Sequence, residues 1–217
     1  MVKQRRHNPS QELWGKLDSL VTVRALRWFF VATGVSFFLA ASLNGMLSNG
    51  QRYALNFVDI DGHKLSTADG HVTVLVLATT GDAEKARAVA DSVPDYCLGN
   101  PKYKMITIIT FTRKHTVIGR TIATTFLRHR IKEEARRLQA RYDARKIVRD
   151  ARSDIFTVTD FDGTAVSQLG GLAAASPSGG VQTEATSFHV FVFGKDGELL
   201  KQWDNVPAAD ELAAVLK

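Results

Sequence analysis

An apolar run at residues 73–78, Thr-Val-Leu-Val-Leu-Ala, stops at the polar turn Thr79-Thr80-Gly81-Asp82 and continues as a helix-patterned segment. Ala86, Val89, Ala90 and Val93 recur at i, i+3, i+4 and i+7, the spacing of one helix face. A buried strand feeding an amphipathic helix calls for a sheet with helices packed on it. Asp82 suits the N-cap or first turn of that helix, where a carboxylate meets free backbone N–H groups and the positive end of the helix dipole. The same N–H groups can hold an external anion, so Thr79, Thr80, Gly81 and Asp82 form a candidate small-anion site. The plainer reading is a turn that ends a strand and caps a helix. Thr80 as a nucleophile would need an adjacent base, and no His or Lys is placed beside it by sequence.

The remaining elements follow the same logic. Residues 54–66 read as a hairpin with an Asp61-Gly62 turn, and Asp162-Gly163 and Asp196-Gly197 repeat that turn chemistry. Asp59-Ile60-Asp61-Gly62 lacks the twelfth-position carboxylate of a calcium loop, because Gly70 stands there. Strands are expected at 104–111, 155–159, 188–193 and 199–203, the last two antiparallel. Leu127, Ile131, Ala135, Leu138 and Tyr142 predict an amphipathic helix over roughly residues 121–149. A terminal helix begins near Pro207, with Asp210 and Glu211 in its first turn and Leu212 and Leu216 facing inward. Strands alternating with helices, then a hairpin and a helix, indicate a three-layer α/β sandwich around a central mixed sheet.

The N-terminus is organised differently. Residues 1–27 carry six Lys/Arg against Glu12 and Asp18, a basic leader expected in the cytoplasm. Residues 28–47 contain no charge, and twenty residues at about 1.5 Å each span a hydrocarbon core of about 30 Å. The expectation is a transmembrane anchor, single-pass in a bacterial inner membrane, holding residues 48–217 as a periplasmic domain. A signal segment cleaved near Leu39-Ala40-Ala41-Ser42, releasing the domain to the periplasm, is the alternative.

A single cysteine, Cys97, rules out an intrachain disulfide, dithiol chemistry within one chain and a multi-cysteine zinc site. Cys97 follows Pro94 beyond the first helix, away from any activating helix N-terminus. It reads as a partly buried small hydrophobe, with a one-cysteine redox role as the minority alternative. Six histidines show no metal-ligand spacing, and no cofactor signature is present. His189 reads as a satisfied core histidine. Between Arg113 and Arg152 thirteen Lys/Arg face four acidic residues, so the long helix concentrates the chain's positive charge. Arg128, Arg130, Arg136, Arg137, Arg141 and Arg145 make it a candidate interaction surface for lipid headgroups or for another extracytoplasmic or membrane protein. Nucleic acid is disfavoured by the expected compartment and by the scarcity of aromatic residues among the charges. The small-residue stretch at 170–187 reads as a lid, an assembly segment or disorder.

With these elements in order, the chain from about residue 54 onward resembles the thioredoxin-like superfamily, in particular its redoxin and TlpA-type branches. Phe57-Val58-Asp59-Ile60-Asp61-Gly62, ending at Ser66, resembles the segment that precedes the central strand there. Ala78-Thr79-Thr80 matches the lead-in to the redox motif, Glu84 falls where peroxiredoxins carry a glutamate, and Gly81 stands where the nucleophilic cysteine would be. Ala185-Thr186-Ser187 replaces the proline that normally precedes the fourth strand. A narrower similarity is to YtfJ-type periplasmic proteins, which lack a CxxC pair. The resemblance implies a degenerate thioredoxin-like domain without dithiol redox activity, acting in interaction or assembly.

Overall fold

The computed structural model describes residues 47–111, 115–170 and 188–217, all within one compact unit. Strand β3 (Val72–Thr79) forms its axis, with Leu75, Val76, Leu77 and Ala78 at most 2 % exposed. A strand buried on both faces is apolar throughout rather than alternating, which is the pattern of residues 74–78. Strand β4 (Tyr103–Thr110) pairs parallel to β3, Val72 opposite Tyr103 and Thr79 opposite Thr110. Strand β5 (Phe156–Asp160) continues the sheet in parallel, while β6 (His189–Phe193) and β7 (Leu199–Trp203) run antiparallel on the other side. The resulting order is β5-β4-β3-β6-β7, the central mixed sheet expected from the sequence.

Side-chain alternation splits the core into two layers. On one face Leu75, Leu77, Ile106, Ile108 and Phe191 pack against the hairpin β1 (Asn56–Val58)–β2 (Lys64–Ser66) through Phe57 and Leu65. A short helix, α3 (Thr164–Gln168), adds Ala165 and Leu169 to that face. On the other face Val74, Val76, Val190 and Val192 meet α1 (Ala83–Ser92) and α4 (Ala209–Leu216), with α2 (Val117–Ala144) contributing Leu127. Leu212 and Leu216 are buried, as their spacing predicted.

Helix α2 runs from 117 to 144 rather than over 121–149. Its start lies earlier because the Thr116 side chain accepts from the Gly119 N–H, a cap that the exposed Val117 and Ile118 conceal in an apolar-pattern reading. Its end comes at Arg145, after which Lys146 adopts a positive φ of 60°. Two of the three Asp-Gly turns close hairpins, whereas Gly163 caps the start of α3. Gly197 is required: its φ is +80°, and a Cβ there would lie 2.5 Å from the Tyr53 carbonyl oxygen.

The anchor or signal expected at residues 28–47 and the stretch expected to be a lid at 170–187 lie, apart from their end residues, outside the described residues. Among the described residues, no helix is long and apolar enough to cross a membrane.

Candidate functional site

The sheet register brings the ends of β3, β4 and β5 to one edge, with Thr79 beside Thr110 and Thr110 beside Asp160. From this edge the chain leaves β3 through a 3-10 turn, Thr80–Asp82, and enters α1. A helix leaving the C-terminal end of the central strand, with two antiparallel strands and a closing helix on the far side, defines the topology. The fold is thioredoxin-like.

In the thioredoxin-like frame, the turn between the central strand and its helix is where the reactive sulfur sits; here Gly81, exposed, stands there. The surrounding groups satisfy one another. The Asp82 carboxylate turns back rather than forward into α1, accepting the Thr79 N–H at 3.1 Å and the Thr79 hydroxyl at 2.5 Å. Lys85 Nζ lies 3.3 Å from its other oxygen. Burial opposes ionisation of this carboxyl, yet the Thr79 and Lys85 contacts hold it below the usual carboxylate range. The turn therefore carries its own anion, and a donor that an external anion would use already points at Asp82. Of the predicted anion residues, Thr79 and Asp82 meet in this box, while Thr80 and Gly81 face solvent.

Beside the turn lies a group that sequence reasoning missed. Phe111 and Phe161, each just beyond its strand, stack with ring centroids 4.3 Å apart. His115 sits edge-on to Phe111 at 5.0 Å, and the Arg120 guanidinium lies 5.4 Å from the Phe161 centroid. The aromatic residues at the ends of two predicted parallel strands were the available signal, because parallel register places such ends together.

Cys97 closes a short 3-10 turn, Asp95–Cys97, and is 6 % exposed. Burial pushes its thiol up to about 11, so it is protonated at neutral pH. It belongs to the apolar core layer that also holds Val74, Ile109 and Leu216. His189 donates from Nδ1 to the Asp204 carboxylate at 2.9 Å, satisfied as expected, though partly rather than fully buried.

The six candidate arginines, five on α2 and Arg145 at its C-cap, divide into two sets. Arg141 donates to the carbonyls of Ala90 and Val93 at 3.0 and 3.2 Å, closing the C-terminus of α1. Arg145 pairs with Asp95, and Arg128 donates to the Ile60 carbonyl at 3.2 Å. These three bind the protein to itself. Arg130, Arg136 and Arg137 are exposed, Arg130 lying over the Phe126 ring and Arg137 reaching Glu134 only at 3.8 Å. Near the start of α2, Ile118, Ile122 and Phe126 are 74 %, 65 % and 59 % exposed. A metal centre has one geometric candidate among the described residues, Asp59, Asp61 and His63. Asp59 there accepts two backbone N–H groups and the His63 ring, and Asp61 pairs with Arg152.

No family model matches the sequence, and no curated protein matches it. Among solved structures, a DsbF homologue from Corynebacterium diphtheriae aligns at 15 % identity and a TM-score of 0.47, covering 82 % of this chain and 94 % of that one. The pneumococcal exposed lipoprotein thioredoxin from Streptococcus pneumoniae aligns at 11 % and 0.44, covering 75 % and 97 %. StoA from Bacillus subtilis aligns at 12 % and 0.43, covering 77 % and 99 %. At these values the likeness says nothing of activity, and the fold assignment rests on the strand order and register described above.

Proposed function

We propose that this chain is a thioredoxin-fold interaction module, anchored in a membrane and displayed on its extracytoplasmic side, without dithiol redox activity. The observation that carries this reading is the self-satisfied turn: Gly81 in the nucleophile's place and Asp82 joined to Thr79. A thiolate needs an electropositive, accessible site, and this chain has neither a sulfur in the turn nor an acidic thiol elsewhere. The basic leader and uncharged segment at residues 28–47 support the anchored topology. The outward side of α2 supports docking, since it joins Ile118, Ile122 and Phe126 to Arg130, Arg136 and Arg137. Apolar anchors rimmed by cations suit an acidic partner protein of the same compartment.

Two measurements test this. Disulfide reduction and peroxide consumption by the full chain are expected to match buffer alone; turnover that disappears in Cys97→Ser overturns the reading. A photo-crosslinker at Ile122 in native membranes is expected to capture a protein adduct that Arg136→Glu/Arg137→Glu weakens. Capture of lipid alone would assign the face to the bilayer instead.

A further inference from the structure

Between α1, α2 and the β4–β5 side of the sheet lies a cavity of about 260 Å³. The space is partly open to solvent, a cleft rather than a sealed void, and its mostly apolar lining with a few charged groups at the rim is that of a ligand groove. Its origin is visible in the residues. Helix α1 turns Ala83, Ala86 and Ala90 toward α2, and the sheet beneath supplies Met105 and the short Thr107 and Thr157. Small side chains on two walls leave room opposite the larger ones of α2, Leu127, Ile131 and Leu138, which line the space from the other side. Met105 and Thr107 stay half-buried in a strand paired on both sides, because α2 does not seal over them. The helix is held at this distance by struts: Arg87 bridges Glu84 and Glu134 at 2.7 and 2.8 Å, and Arg141 grips the end of α1. Cys97 forms part of the cavity wall.

The charges around the cavity are unequal. Arg87, Lys104, Arg130, Arg137 and Arg141 line it against Asp91, Glu134 and Asp154. Most of these cations are engaged: Arg87 with its two glutamates, Lys104 with Asp69, and Arg141 with carbonyls. Arg130 makes no ion pair within 4 Å among the described residues, and Arg137 has only the long contact to Glu134. Positions 130 and 137 lie two helical turns apart on one face of α2, so both reach the same side of the cavity. An apolar interior with two under-used guanidinium groups fits a ligand with an apolar tail and one negative end.

We propose that this cavity binds an amphiphilic monocarboxylate of the fatty-acid class, the tail lying between α1 and β4 and the carboxylate meeting Arg130 and Arg137. Arg130 and Arg137 stand at the border between this site and the outward docking face, but the apolar walls belong to this site alone, and its occupancy does not depend on the interaction reading above. Its test uses the full chain titrated with decanoate, decan-1-ol and acetate. Decanoate is expected to raise Tm saturably and to slow alkylation of Cys97 by iodoacetamide at least threefold. Decan-1-ol should bind at least tenfold more weakly, and acetate should do neither. Arg130→Glu/Arg137→Glu is expected to remove the preference for decanoate over decan-1-ol, while Ala86→Leu, which fills the cavity, removes binding of both. Thr107→Leu fills it from the sheet side and serves if Ala86→Leu does not fold, as judged by circular dichroism. The proposal is overturned if decanoate gives no saturable response, if decan-1-ol binds equally well, or if a folded cavity-filling variant responds as the parent does.

Discussion

The Thr79 hydroxyl and the Asp82 carboxylate lie 2.5 Å apart, across the turn that in the thioredoxin-like frame presents a reactive sulfur. The contact turns a site of potential chemistry into a closed capping box, with the Thr79 N–H bound to the same carboxylate.

Asp82→Ala is expected to cost about 1 kcal/mol, the usual range for loss of a cap, read as a lower midpoint in urea unfolding. The carboxyl ionises more readily folded than unfolded, so its contribution is complete above the unfolded carboxylate range and is lost as pH falls through the folded value. The parent's advantage over the variant should therefore shrink toward low pH. An advantage independent of pH would assign the effect to packing.

Cys97 titrates in the opposite range. Its folded value, about 11, lies above that of an unfolded thiol, so the unfolded chain releases its proton first as pH rises. Stability is expected to decline from about pH 9 toward 11, with a slope from this group near 1.4 kcal/mol per pH unit. Tyr142, raised to about 12 by burial and by Asp154, extends that decline above pH 10. Thermal melts of the parent and Cys97→Ala across this range should diverge in slope; parallel curves would show that the thiol does not titrate in this way.

Arg141→Ala should destabilise the domain by about 1–3 kcal/mol, since the carbonyls of Ala90 and Val93 lose a charged donor. Arg136→Ala, at an exposed position, should stay within about 0.5 kcal/mol of the parent. Denaturant unfolding of both variants separates the arginines that brace the fold from those that face outward. Equal effects would erase the distinction.

Gly99 has a φ of +64°, and a Cβ there would lie 2.8 Å from Cγ2 of Ile147. Gly99→Ala is expected to cost about 1–3 kcal/mol. Shortening Ile147 to Ala in the same chain should recover the part due to collision but not the part due to backbone strain. A double variant no better than the single would assign the whole cost to φ.

Local features of this protein were readable from the chain alone. The apolar run ending at Ala78, the helical spacing from Ala86 to Val93 and the Asp-Gly turns each report a period or a turn chemistry that acts over a few residues. The central sheet and the buried Leu212 and Leu216 followed from these, and so did the burial of Cys97. The aromatic group of Phe111, His115 and Phe161 did not, because it depends on strands more than forty residues apart ending in register.

The six candidate arginines between positions 128 and 145 show where sequence stops. Their number and spacing determined a basic helix, since charge is a property of composition. Whether a given guanidinium is engaged depends on which carbonyls and carboxylates neighbouring elements bring within reach, and only packing decided that Arg128, Arg141 and Arg145 find partners on other elements. The cleft is of the same kind: Ala86, Ala90 and Thr107 are unremarkable singly, and they border one space only because the fold brings α1, α2 and β4 together, with Arg87 bridging to Glu134 across it.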